Sequence, residues 1–176
     1  MPFTPYHMGP GILFKALLQG SFSLLVFGWS QIVMDMQPLL VLLSGEGHLH
    51  GFSHTYIGAT LLAAFSAVTG KYLAQIGLNM LRTPQQARVN IPWWVVVLSA
   101  TLGTFSQVLL DSIMHADVQP FYPLTLDNPF LSFISVSALH QVCLYSGYVG
   151  AILYGYLYWR SRKKAGALSS QDDNKT

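Results

Sequence analysis

The sequence predicts an all-α fold: a polytopic membrane helix bundle of four transmembrane helices plus a short N-terminal helix that can re-enter the membrane. Three observations lead there. Apolar residues make up 52% of the 176 residues, while Asp, Glu, Lys and Arg together make up 9%, against about 25% in soluble domains. The apolar residues gather into four stretches of the ~20 residues that a bilayer-crossing helix needs. The Lys and Arg residues concentrate in one link and in the C-terminal tail, as a membrane topology requires. Seven acidic and nine basic residues are too few to coat a water-soluble surface of this size. A single cysteine, Cys143, excludes an intrachain disulfide framework and any paired-cysteine zinc site.

At the N-terminus, MPFTPYHMGPG has no basic region leading into an apolar core, so it does not read as a cleavable signal. The segment GPGILFKALLQG is apolar except for Lys15 and Gln19. One helix over residues 9–43 would be about 52 Å long, well beyond a core of roughly 30 Å. Gly20 and Ser21 offer a break. A helix over 9–19 then folds back as a re-entrant arm, or lies flat on the inner interface. In the first case His7 and Asp35 reach similar depths, roughly 20–22 Å above the turn.

The four spans follow. The first covers about 21–43 and the second about 51–80. The third covers about 91–116 and opens IPWWVVVLSA. The fourth covers about 129–159, with Asp127 and Asn128 as cap candidates and Pro129 near its first turn. One membrane-embedded domain over 1–162 precedes a tail over 163–176 that reads as disordered and cytoplasmic. Arg82 and Arg88 lie in the link between spans two and three. Arg160, Arg162, Lys163 and Lys164 follow span four. The other two links, SGEGHLH and ADVQPFYPLTLDN, carry no Lys or Arg. Both ends of the four-span bundle are therefore expected on the cytoplasmic side of an inner membrane, with the two uncharged-to-acidic links outside. Lys71 lies toward the inner end of span two and can snorkel.

Ionisable groups inside a membrane are costly, roughly 2.5–3.5 kcal/mol each at mid-depth on insertion scales. Asp35 lies in the outer half of span one, with Pro38 beyond it. His50 and His54 open span two; read as a helix, they share a face. Asp111 and His115 close span three with the same spacing. All lie near the outward end, and His7 joins them if the arm re-enters. Imidazoles and carboxylates are good ligands for zinc and similar divalent ions. The set His7, Asp35, His50, His54, Asp111 and His115 can thus enclose one or two divalent metals. Each also has a plainer reading. His50 can be a solvated helix opener and His115 an interfacial residue. His54 can bond a carbonyl, Asp35 can pair with His54, and Asp111 can cap a backbone break. Glu46 and His48 read as solvent groups. Asp117 reads as a loop residue or as the partner that orients a ligand imidazole. His140 reads as an outer support of the site or as a hydrogen-bonded core histidine. Gly58, Ala59, Ala63, Ala64, Gly147 and Gly150 read as close-packing positions.

The segments TPYHMGPG, QIVMDMQP, HGFSHTYIGA and GTFSQVLLDSIMHADVQPFYP, spread over residues 4–123, resemble the YdjM-like, LexA-regulated family of membrane-bound metal-dependent hydrolases. That family is related to the helical fold of zinc-dependent phospholipase C and single-strand nucleases. The resemblance implies a zinc-type centre with His7, Asp35, His50, His54 and Asp111 at family-like metal positions and His115 as an addition or substitute. One departure matters. The family places a histidine four residues before the third-span aspartate, and here that position is Gln107, in QVLLD. Either His115 supplies the missing imidazole, or this chain holds fewer metals or lacks catalysis.

The expected function is a metal-dependent hydrolase acting on a phosphoester or other lipid-linked substrate at the outer interface. Asp35 or Asp111, where not a ligand, is the candidate general base. Phe121 and Tyr122 can form a lipid-facing lip. Two other functions fit the same residues. One is a small transporter with Asp35, His54 and Asp111 as a proton relay, for which four spans would need to oligomerise. The other is a non-catalytic protein whose metal staples the helices. No basic, aromatic-interleaved patch points to nucleic acid, and no P-loop, GxGxxG or GxSxG motif is present.

Overall fold

The computed structural model describes residues 5–47, 49–83 and 86–173. All regular structure among them is helical: α1 Met8–Leu18, α2 Leu24–Ser44, α3 Tyr56–Met80, α4 Trp93–Met114 and α5 Val136–Asp173, with short 3-10 turns at Pro5–His7, Gln19–Ser21 and Phe52–His54. Four helices are long and apolar enough to cross a membrane: α2, α3, α4 and the Val136–Lys164 part of α5. This is a multi-pass membrane helix bundle with a short N-terminal helix.

The break after α1 comes at Gln19, one residue before the expected glycine. Gln19 takes φ 48°, a region that side chains disfavour. Lys15 explains how the turn holds. Its Nζ donates to the carbonyls of Gln19 (2.7 Å) and Phe22 (2.8 Å), which a helix end otherwise leaves unsatisfied. The basic residue in an apolar arm is a turn clamp. Ser23 then caps α2, accepting from Val26 N–H, while its own N–H donates to Ser99 Oγ on α4 at 2.9 Å. α2 ends at Gly45, left-handed at φ 73°, whose N–H returns to the Val41 carbonyl. That is the usual use of glycine past a helix end.

The centre of the bundle is the triple α2, α3 and α4. Near the Arg82–Arg88 end, Val26, Ala67, Ala74, Ile91, Val95, Val96 and Ala100 form the core. Toward the other end it passes to Met34, Ala59 and Val108. Gly103 lets α4 press onto α2, since a Cβ there would meet Ser30 Oγ. Gln31 crosses the same seam, donating to the Gly103 carbonyl at 2.8 Å.

α5 is peripheral. Only 17% of its span is buried, against 44% for each of the other three. It packs mainly on α1, which forms its bridge to the triple. Gly9 and Gly150 permit that approach: a Cβ at Gly9 would meet the Cys143 carbonyl, and one at Gly150 the Leu13 backbone. Two boundaries differ from the sequence reading. α5 starts at Val136 rather than near 129: Asn128 Oδ1 does accept from Phe130 N–H at 3.1 Å, but residues 129–134 run on as turns and bends rather than as a helix. It also runs to Asp173, so the tail expected from residue 163 is helical that far.

Candidate metal centre

Asp111 lies in the last turn of α4 and is 4% exposed. Burying a carboxylate is costly unless partners compensate, and three imidazoles surround this one. His54 Nε2 stands 3.3 Å from Oδ2, while His7 Nε2 and His115 Nε2 stand 3.7 and 4.0 Å from Oδ1. Each arrives by a different route. His7 ends the 3-10 turn that leads into α1, so the arm carries it back to the end of α4. The fold-back of α1 thus delivers His7 to Asp111, and His7 shares a cavity with Asp35. His54 ends the 3-10 turn before α3, and Ser53 Oγ hydrogen-bonds its Nδ1 at 2.8 Å. This fixes the ring with Nε2 toward the carboxylate. His115 caps the C-terminus of α4, with its N–H bonded to the Asp111 carbonyl.

His50 corrects the sequence picture. It lies in a turn ahead of the 3-10 segment, so His50 and His54 are not helical neighbours one turn apart. The two rings meet edge to face at 5.0 Å, and His50 stacks on His115 at 4.3 Å. Gln37 holds this bend, its Oε1 accepting from Ser53 N–H at 3.0 Å. His50 Nδ1 hydrogen-bonds both carboxylate oxygens of Asp117, at 2.9 and 3.0 Å. A carboxylate only accepts, so Nδ1 carries the proton of this hydrogen bond and Nε2 is the nitrogen turned away from Asp117. His50, His54 and Asp111 present ligand atoms all within 4.8 Å of one another, as do His50, His115 and Asp117.

Asp35 is buried in α2 and accepts from Gln107 Nε2 on α4 at 2.6 Å. Gln107 therefore holds Asp35, and His115 lies on the other side of Asp111, against His50. A cavity of about 230 Å³ joins His7, Asp35, His50 and Asp111, walled by Pro38, Leu42 and Leu49.

The link over this end is pinned from several sides. Asn128 Nδ2 donates to the Ser112 carbonyl (2.8 Å) and the His115 carbonyl (3.3 Å), while Tyr56 N–H donates to the Pro120 carbonyl (2.8 Å). Phe121 packs between Tyr56 and Phe130, leaving Tyr122 as the exposed member of the expected lip. His140 stacks on Tyr6 at 4.5 Å. His48 lies outside the described residues. Outside the spans, burial pushes Asp117 up, but the His50 hydrogen bond and charge outweigh it and hold this carboxyl below its usual value. Burial, then the His50 charge, push His115 down toward the neutral form.

The donor set fits a divalent cation. The Nε2 atoms of His7 and His54 are buried, and neither has a hydrogen-bond partner, although both face a carboxylate. Buried polar atoms are normally paired, and a cation beside Asp111 satisfies both imidazoles and the charge together. No protein-family model matches this chain, and no curated protein or solved structure matches it.

Proposed function

We propose that this protein is a membrane-embedded, metal-dependent hydrolase acting on a phosphoester or other lipid-linked bond at the outer membrane–water interface. The observation that carries the reading is the pair of buried imidazole nitrogens on His7 and His54 that make no hydrogen bond yet stand 3.7 and 3.3 Å from one buried carboxylate. His54, Asp111 and His50 would hold the ion, zinc by the nature of the donors, with His7 at the second oxygen of Asp111. A divalent ion there supplies Lewis-acid polarisation of the scissile oxygen and activation of water.

The chain's own residues do the rest. Asp35, held by Gln107, faces the same cavity and is the proton acceptor. Asp117 keeps the His50 ring in one tautomer. Pro38, Leu42 and Leu49 give the cavity an apolar wall suited to an amphiphilic substrate. The distribution of Lys and Arg supports an inner-membrane location with both bundle ends cytoplasmic and this site facing outward. Elemental analysis of detergent-purified protein, before and after chelation, tests the metal. Hydrolysis of a chromogenic phosphodiester, lost on chelation and restored by zinc, tests the activity.

Gln107 favours a second reading. An amide at that position leaves one imidazole fewer than the family pattern, and a metal that only staples α3 to α4 needs no more. Stoichiometric metal without turnover of any phosphoester or ester would select it.

A further inference from the structure

Beyond the buried centre, the structure brings together a second group that shares one of its residues. His50, His115 and Asp117 place ligand atoms within 4.8 Å of one another. Their burial is graded. The Asp117 side chain is 46% exposed and His115 31%, His50 falls to 10%, and His54 and Asp111 to 1% and 6%. A line of metal-type donors thus runs from solvent to the buried carboxylate, and His50 belongs to both groups. The outer group is built rather than incidental. Asp111 and Asn128 fix the backbone of His115, and a turn from the His115 carbonyl to Val118 N–H sets Asp117 two residues on. A partly polar cavity of about 190 Å³ adjoins it, lined by His50, Thr55, Asp117, Gln119 and Tyr122. That space can hold the waters that complete a three-ligand coordination shell.

We infer that His50, His115 and Asp117 form a loading site, a weaker divalent-cation site through which the buried centre takes up its ion. Asp117 turns from Nδ1–H to the incoming cation, which His50 meets through Nε2; a proton held on Nε2 leaves to water, as ligand protons do on metal binding. The ion then exchanges His115 and Asp117 for His54 and Asp111 while the His50 ring stays with it. The hydrogen bond from Nδ1 to Asp117 re-forms behind it. This inference rests on the buried centre as the destination of the ion, and its test separates the two.

The probe is zinc alone, added to chelator-stripped full-length protein in detergent. Wild type should bind it tightly. His54→Gln, which disables the inner group, should still bind zinc, more weakly by about tenfold or more. Adding Asp117→Asn should remove that residual binding. In the wild-type background, Asp117→Asn and His115→Gln should each slow zinc uptake, followed by competition with a fluorescent chelator. The tight metal content reached at the end should be retained in His115→Gln, whose side chain lies outside the set that would hold the buried ion. If wild type binds zinc while His54→Gln binds none, or binds it regardless of Asp117, the outer site is overturned and the buried centre stands. Should His54→Gln not fold, the uptake rates decide alone: unchanged rates in both outer variants overturn the loading role. Absence of binding by wild type overturns the buried centre and the loading site together.

Discussion

Gln107 Nε2 donates a 2.6 Å hydrogen bond to Oδ1 of Asp35, tying α4 to α2 at a point where both side chains are buried. The position that the family resemblance treats as a lost imidazole therefore has work of its own. A hydrogen bond to a charged partner contributes about 1.5–3 kcal/mol, and losing it leaves a buried carboxylate short of a donor. Gln107→Leu should lower stability by about that amount and loosen Asp35. Thermal unfolding in detergent would show a lower midpoint, and any hydrolysis should fall. Gln107→His should do better on both counts, because an imidazole N–H can still reach Asp35 and its other nitrogen adds a donor near the centre. Equal stability of wild type and Gln107→Leu would mean that the contact holds nothing.

How much of this was legible beforehand follows from which interactions are local. Span length and hydropathy are properties of contiguous sequence, so the four long helices were readable. The break after the first helix was readable because Gly20 and Ser21 interrupt an apolar run. The clamp by Lys15 was not, since it depends on carbonyls exposed only once the turn forms. The His50 placement failed for a related reason. Assuming helical spacing from His50 to His54 ignores a bend held by Gln37, sixteen residues away from Ser53. The pair of His50 with Asp117 joins residues 67 apart, and periodicity carries no information at that range. The start of α5 was misplaced because Asn128, which looks like a helix cap, closes a local turn onto Phe130 N–H while its amide donates to the end of α4, and no helix follows until Val136.

The Lys15 clamp makes its own prediction. Lys15→Met keeps the apolar stem but removes the donor to two carbonyls, one exposed and one part-buried, at about 0.5–1.5 kcal/mol for a typical hydrogen bond. The arm should then lose its fixed return, and His7 its position at Asp111. A lower unfolding midpoint together with weaker metal binding is expected. Full metal affinity in Lys15→Met would show that His7 does not depend on the turn.

Close packing of α1 on α5 gives a third. A side chain at Gly9 would meet the Cys143 carbonyl, and backbone cannot move as a flexible side chain can. Gly9→Leu should pry α5 from α1, where it has its main contact with the bundle. Hydrogen exchange should rise in α5 and α1 while the α2–α4 core keeps its protection. Uniform loss of protection would indicate that α5 is integral to the bundle rather than peripheral.

Orientation is checked by accessibility. Lys and Arg flank the Arg82–Arg88 link and the C-terminal end of α5, so a C-terminal reporter should be cytoplasmic. Cysteines placed one at a time in 117–127 should react with an impermeant reagent from outside. Cys143 is buried and adds little background. Labelling of that link from the cytoplasmic side alone would invert the topology and move the site to the inner face.

Asp111 is the decisive residue, because three imidazoles, of His7, His54 and His115, stand within 4.0 Å of its carboxylate. Its two oxygens are divided, Oδ2 toward His54 and Oδ1 toward His7 and His115, so one carboxylate gathers ligands from the arm, the turn before α3 and the end of α4. Asp111→Asn keeps the shape but removes the charge, and Asp111→Ala removes both. Both variants should lose the tightly bound metal and all hydrolysis. Their stabilities should differ in an informative way. With metal bound, wild type gains stability that chelation takes away, since a ligand bound only to the folded state stabilises it. Asp111→Asn should behave like chelated wild type and show no further response to chelator. Full metal content in Asp111→Asn would place the ion elsewhere. A wild type indifferent to chelation would leave His54 and Asp111 as a buried hydrogen-bonding couple, and the proton-relay reading would then account for them better than hydrolysis.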